Sequence, residues 1–152
     1  MNMTPKAILV QEYNEYMLTW APDFINGGEK VKAYPDSLVP FFTDNVELYE
    51  AETLPWGGTW KGRDGFLGEA LAFMAVFGSD YTITVKSDRF WDSTDTVFHE
   101  FVIDLTHNES GRIYRWSGLE RYLFDGDRCS ELDVFYKDTA GLLDFLKIPS
   151  KK

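Results

Sequence analysis

Between Tyr81 and Tyr136 the chain carries four aromatic-rich segments, parted by turn signals at Trp91–Asp95, Asn108–Gly111 and Asp125-Gly126. Rings and β-branched side chains suit a pleated, half-buried surface, and short polar turns between such runs join antiparallel neighbours. The expected strands run from Tyr81 to Phe90, Thr96 to Thr106, Arg112 to Phe124 and Arg128 to Tyr136. A sheet of that size must hide one face, and the segments placed to cover it are helical stripes that come earlier in the chain. Leu9, Tyr13, Tyr16, Met17, Trp20 and Phe24 form one stripe, opened by Thr4-Pro5 and bent or ended by Pro22. Phe66, Leu67, Ala70, Leu71, Met74 and Phe77 form another, stopped by Gly78.

The connecting pieces follow the same logic. Gly27-Gly28 reads as a linker, and Asp36 is a candidate cap for a short helix reaching Phe42. Thr43–Asn45 reads as a turn, Val46–Ala51 as a strand, Pro55–Gly58 as a loop and Thr59–Lys61 as a short strand. Asp138 can cap a closing helix through Leu146, with the Lys151-Lys152 tail frayed. No repeat interrupts this order, so the 152 residues are expected to form one domain.

Bulk properties narrow the partners. A formal net charge of −10 repels phosphate backbones and anionic lipid surfaces, so neither nucleic acid nor membrane is an expected partner. No apolar run approaches the roughly 18 residues that span a bilayer, and Cys129, the single cysteine, can form no intrachain disulfide. A cytoplasmic setting is expected. With 12 Phe, 8 Tyr and 5 Trp, the chain has rings enough for a core and for a ring-lined pocket or oligomer face.

Several polar residues fall on the strands. A two-residue turn at Asp125-Gly126 would set Glu120 opposite Glu131 and Gly118 opposite Asp133. Facing carboxylates repel unless one holds a proton, which in a dry cavity makes an acid and a base at one pH. The same pair can equally be a solvent-facing couple beside Arg121 or Arg128. His99 shares strand parity with Phe101, Ile103 and Leu105, so it is a candidate base or a hydrogen-bonded core histidine. Glu100 and Asp104 take the opposite face. Tyr16 could donate to a developing oxyanion, and Glu50 could act at the inner mouth of the first strand. Trp56 and Trp60 are read as a lid or rim, Trp116 and Phe135 as a flat cross-strand wall, Gly118 as room for a ligand and Arg115 as an anion contact. No metal spacing, P-loop, dinucleotide fingerprint or nucleophile elbow is present, so no cofactor or metal is expected.

Leu54-Pro-Trp-Gly-Gly-Thr-Trp-Lys-Gly-Arg-Asp64 and the segment Trp116 to Asp133 resemble the SnoaL-like branch of the NTF2-like family. The first is similar to that family's glycine-rich approach to its third helix, the second to its penultimate hairpin. The resemblance implies an α+β cone: a strongly curved mixed sheet packed against N-terminal and central helices around a cavity, often as a homodimer. It also implies a cofactor-free isomerase, cyclase or lyase, an epoxide hydrolase, or a non-catalytic binder, in each case handling a small hydrophobic molecule. Matching the hairpins puts Glu131 at the cyclases' acid/base position, while their histidine position falls near Ser117, a departure from the pattern. Tyr16 resembles the helical tyrosine of ketosteroid isomerases by location. On this reading Glu131 or Asp133 moves a proton, and His99 or Tyr16 holds the oxygen.

Overall fold

The computed structural model describes residues 3–147; the expected fraying of Lys151-Lys152 lies outside them. Helix α1 (Pro5–Thr19) starts as its sequence dictates, with Thr4 Oγ1 accepting from the Ala7 amide at 3.3 Å and a proline in the first turn. Pro22 does not bend α1. It sits in the first turn of a separate helix, α2 (Ala21–Asn26), where its missing amide proton costs nothing. A 3-10 turn at Glu29–Ala33 leads into the short α3 (Tyr34–Ser37). That helix ends where one was expected to run on to Phe42. The helix starts at Tyr34, two residues ahead of Asp36, with Pro35 in its first turn, so Asp36 lies within it and does not cap it, and the chain is already extended at Phe42.

Six strands follow: β1 (Phe42–Glu50), β2 (Gly58–Lys61), β3 (Tyr81–Asp92), β4 (Thr96–His107), β5 (Ile113–Asp125) and β6 (Arg128–Tyr136). Helix α4 (Gly62–Phe77) separates β2 from β3, and α5 (Thr139–Leu146) closes the described chain, with Asp138 Oδ1 accepting from the Gly141 amide at 2.8 Å. The sheet order is β2-β1-β6-β5-β4-β3. β1 and β6 run parallel; the other neighbours are antiparallel, so the sheet is mixed.

The strongly curved cone does not form. The sheet is open, neither closed nor strongly curled, and ends in two edge strands, β2 and β3. Helix α4 packs on β1 and β2, α1 on β3 and β4, and α5 on β5. Two apolar clusters fill the covered face. One joins α1, α3 and α4 to β1 and β6 through Tyr13, Tyr34, Phe42, Phe66 and Leu132. The other gathers Trp56, Phe77, Leu105, Trp116 and Leu142. Tyr136 packs against both, which places it on their seam.

Two single-residue irregularities decide which side chains look inward. The β5–β6 hairpin turns at Gly126-Asp127, with Asp125 opposite Arg128 and Gly126 at φ +66°, the backbone state that glycine adopts without strain. Ser130 is then an extra residue: Phe124 faces Cys129, but Leu123 faces Glu131. Glu120 therefore pairs with Val134, and Gly118 with Tyr136, in place of the expected Glu131 and Asp133. Lys86 is extra in β3 in the same way, since Val85 faces Ile103 while Ser87 faces Val102.

Gly118 has no spare room. A Cβ built there would lie 2.6 Å from Phe101 Cζ and 2.7 Å from the Phe135 carbonyl oxygen. A ring can swing aside, but the paired backbone cannot. Gly118→Ala should lower stability by about 2 kcal/mol, seen as a loss of roughly 5 °C in melting temperature by circular dichroism. An unchanged melting temperature would show that the sheet yields there.

Candidate acid–base site

On the inner face, alternation along β1, β5 and β6 brings Glu50, Glu120, Tyr122 and Tyr136 onto one side, and α4 adds Glu69 from above. The Glu50 and Glu69 carboxyl groups share a hydrogen bond. The Tyr136 hydroxyl donates to Glu50 Oε2 at 2.8 Å, and Trp56 Nε1–H donates to that hydroxyl at 3.2 Å. Tyr136 also stacks on Trp116, with ring centroids 5.0 Å apart and planes 29° apart. Glu50, Glu69 and Tyr136 are crowded by protein on nearly every side, yet each keeps some accessible surface.

Burial sets the chemistry of the pair. It pushes Glu50 well above the usual carboxylate range; the charges of Glu69 and Glu120 add to the rise, while the Tyr136 hydrogen bond opposes it. Burial likewise pushes Glu69 up to about 8; the bond from Glu50 opposes the rise and the Glu120 charge adds to it. The two titrate as a unit, and the unit holds a proton at neutral pH.

Beside the pair lies a second group. His99, 3% exposed, has Nδ1 2.5 Å from Glu120 Oε1 and Nε2 2.6 Å from Asp88 Oδ1. Its ring stacks on Phe90 at 4.6 Å with planes 6° apart. Burial alone would lower the histidine pKa, but the hydrogen bonds and charges of Glu120, then Asp88, outweigh it and hold the ring above its ordinary value. Tyr122 donates to the same Glu120 oxygen at 3.1 Å, and Asn14 Nδ2 donates to the Tyr122 hydroxyl at 3.1 Å.

The residues singled out from sequence thus divide. His99, Glu120, Glu50, Trp56, Trp116 and Tyr136's neighbour Gly118 lie on the inner side. Glu131 and Asp133 lie on the outer face, bound by Arg121 Nη2 at 2.8 and 3.4 Å. Trp116 and Phe135 are not cross-strand partners: Phe135 faces Leu119 and is 52% exposed, and Tyr136 supplies the ring beside Trp116. Trp56 is fully buried rather than a rim residue, while Trp60 donates to the Trp56 carbonyl at 3.0 Å and packs over Gly68. The space above Gly118 holds the Phe101 ring. Arg115 is paired with Asp104 at 2.8 Å, and Tyr16 packs against Trp20 and Phe41.

Glu69, Tyr136, Tyr122 and Asp88 went unnoticed in the sequence. Glu69 carried a signal, since it lies three residues after Phe66 and four before Phe73, on the apolar stripe of α4. Among the described residues no group of His, Cys, Asp and Glu could hold a metal ion. None of the described helices is long and apolar enough to cross a membrane. A shallow polar cleft of about 220 Å³ lies between Asp36, Asp44, Lys61 and Arg63, and there Arg63 already pairs with Asp44 at 2.7 Å.

No protein-family model and no curated protein matches the sequence. Solved structures do match. An NTF2-like protein of unknown function from Burkholderia pseudomallei superposes with a TM-score of 0.70 at 16% identity, covering 95% of this chain and 98% of that one. A proposed polyketide cyclase from Acidithiobacillus ferrooxidans gives 0.62 at 18%, covering 97% and 98%. A protein with a ketosteroid isomerase-like fold from Catenulispora acidiphila, in complex with trimethylamine, gives 0.56 at 16%, covering 88% and 92%.

The raised carboxyl pKa has a consequence for stability. A group that binds its proton more tightly when folded stabilises the fold fully below its unfolded value, 4.5 for glutamate, and that stabilisation is lost as pH rises through about 8. Glu69→Gln removes the need to ionise a buried group. The variant should gain melting temperature on the wild type above pH 8, by about 5 °C, and the gain should vanish near pH 4.5. A pH-independent difference would show that Glu69 is not held neutral by the fold. At these identities the likeness to solved structures speaks for the fold, and the fold of this chain is NTF2-like, shared with ketosteroid isomerase-like and polyketide cyclase-like proteins.

Proposed function

We propose that this protein is a cofactor-independent acid–base enzyme of the isomerase, cyclase or lyase type, in the SnoaL-like branch, acting on a small hydrophobic substrate that carries oxygen. The observation that supports it most is the Glu50–Glu69 pair, two carboxyl groups held together beside a phenol on a ring-lined inner face. A pair with one proton offers a base and an acid within reach of one substrate. The ionised member takes a proton from carbon next to a carbonyl. The Tyr136 hydroxyl or the protonated member supplies a hydrogen bond to the oxygen as charge builds there. Reversal at a different carbon isomerises the substrate; loss of a leaving group or attack on a second carbonyl gives the lyase or cyclase outcome.

The surroundings narrow the substrate further. Glu50, Glu69 and Glu120 would repel an anion, so the substrate in this reading is neutral. Trp56, Trp116 and Phe101 surround Tyr136 and suit a flat apolar skeleton. Glu131 and Asp133, held by Arg121 on the outer face, take no part in this chemistry. That face, with Phe135 exposed, is our choice for the contact of a cytoplasmic homodimer.

One observation favours a binding role without turnover: the single Tyr136 proton is already committed to Glu50. An epoxide hydrolase would need an amide to help hold water, and the nearby amide of Asn14 is turned to Tyr122 and the Val10 carbonyl.

The test is hydrogen exchange into neutral, enolisable cyclic ketones in deuterium oxide, followed by proton NMR. The wild type should exchange the hydrogen next to the carbonyl faster than buffer, with the rate falling as pH rises through about 8 and the pair loses the one proton it holds. Glu50→Gln and Glu69→Gln should each lose about 100-fold, while Glu131→Gln stays within about twofold. Ketones that bind and do not exchange would favour the binding role, and loss of exchange in Glu131→Gln alone would overturn the assignment of the pair.

A further inference from the structure

We propose that Asp88 is a positioning residue that works through His99, and that Asp88, His99 and Glu120 form a charge relay from the edge of the sheet to the Glu50–Glu69 pair. This rests on the acid–base reading of that pair. The geometry is specific. Both ring nitrogens of His99 meet carboxylate oxygens, at 2.5 Å on the Glu120 side and 2.6 Å on the Asp88 side. With Asp88 and Glu120 ionised, both carboxylates only accept, so both ring nitrogens donate and the ring is the imidazolium. Stacking on Phe90 fixes the ring plane.

Asp88 reaches His99 only because of the bulge at Lys86. Strict alternation from Ile83 and Val85 would have sent position 88 to the outer side; the extra residue puts Asp88 and Phe90 on the side of His99. The Asp88 side chain is 43% exposed, against 4% for His99 and 15% for Glu120. The three groups thus run from solvent to interior, and Glu120 is the charge that both members of the buried pair feel. An apolar residue at position 99 would fill the room without the cost of burying an ion. The imidazolium instead offsets Glu120 and so limits how strongly the pair resists ionisation.

The titratable and polar groups around His99 come from every packed element: Asp88 on β3, Glu120 and Tyr122 on β5, Asn14 and Tyr13 on α1, and, beyond Glu120, Glu50 on β1 and Glu69 on α4. Removing Asp88 leaves the imidazolium with one partner. His99 then loses its proton at lower pH, and the pair faces Glu120 without the cation that offset it.

The experiment needs no substrate. Long-range proton–nitrogen NMR on the full chain should show both His99 nitrogens protonated at neutral pH, with His107 as the second histidine for comparison. Carbon NMR of labelled glutamate carboxyls follows the pair. In Asp88→Asn the His99 midpoint should fall by about one pH unit and the pair's midpoint should rise by about half a unit. Arg89→Gln, which alters a neighbouring edge charge that pairs with Glu100, should move neither. A singly protonated His99 in the wild type, or a pair that does not move when His99 does, overturns the relay. Because the readout is titration, an inactive enzyme with linked titrations would fault the proposed reaction alone, and an active one with unlinked titrations would fault the relay alone.

Discussion

The pairing of β5 with β6 decides which side chains this sheet turns toward its helices. Side chains alternate, so one inserted residue reverses the facing of all that follow. With the turn at Gly126-Asp127 and Ser130 inserted, Leu132, Val134 and Tyr136 share the inner side with Glu120, Tyr122 and Trp116. Glu131 and Asp133 fall to the other side, where Arg121 binds them both. The parallel pairing of β1 with β6 passes this parity on, since Leu48 faces Leu132 and Glu50 is the next inward position of β1. The shape of the hairpin therefore selects the carboxylates that are buried.

Burying them has an energetic signature. A carboxylate withdrawn from water must be paired, hydrogen-bonded or protonated. Glu131 and Asp133 take the first course with Arg121, and Glu120 takes the second with His99 and Tyr122. Glu50 and Glu69 pair with no cation among the described residues and take the third, holding a proton between them while Tyr136 steadies Glu50. Cys129 behaves similarly: burial pushes its thiol up to about 12, and it donates to the Glu131 carbonyl at 3.1 Å, an inert environment for a lone cysteine. Burial thus holds the glutamate pair above the usual carboxylate range, where it can exchange a proton near neutral pH.

Much of the fold could be read from local pattern because local physics sets it. Thr4 and Asp138 cap as their positions require, and Gly78 ends α4 at φ +51°. The long strands follow from their alternation to within a residue or two. His99 and Glu120 were legible as candidates, one from its apolar strand face and the other from its hairpin. The partner of Glu120 was not, because a one-residue insertion leaves no mark in composition: Ser130 looks like any strand residue until its pairing is known. Asp88 was hidden by Lys86 for the same reason. Glu69 was hidden differently. A single acid on a helical stripe reads as a break in the apolar pattern, and only the approach of Glu50 from another element gives it a role. The strong curvature was expected both from the order of helical stripes and strands and from the family resemblance, and the open sheet with edges β2 and β3 overturns it.

An open sheet gives the site something a closed one would deny it. Because β3 is an edge strand, a side chain on it can touch water on one side and the interior on the other. Asp88 occupies such a place, half in solvent and bonded to a histidine that is almost wholly enclosed. The bulge at Lys86 is what aims it, and bulges are common where an edge must re-aim a side chain. Glu120 thus has a hydrogen-bonded connection to the surface, through His99 to Asp88. A half-exposed carboxylate bonded to an enclosed histidine lets charge at the sheet edge act on a low-dielectric interior, where each such interaction is stronger than in water.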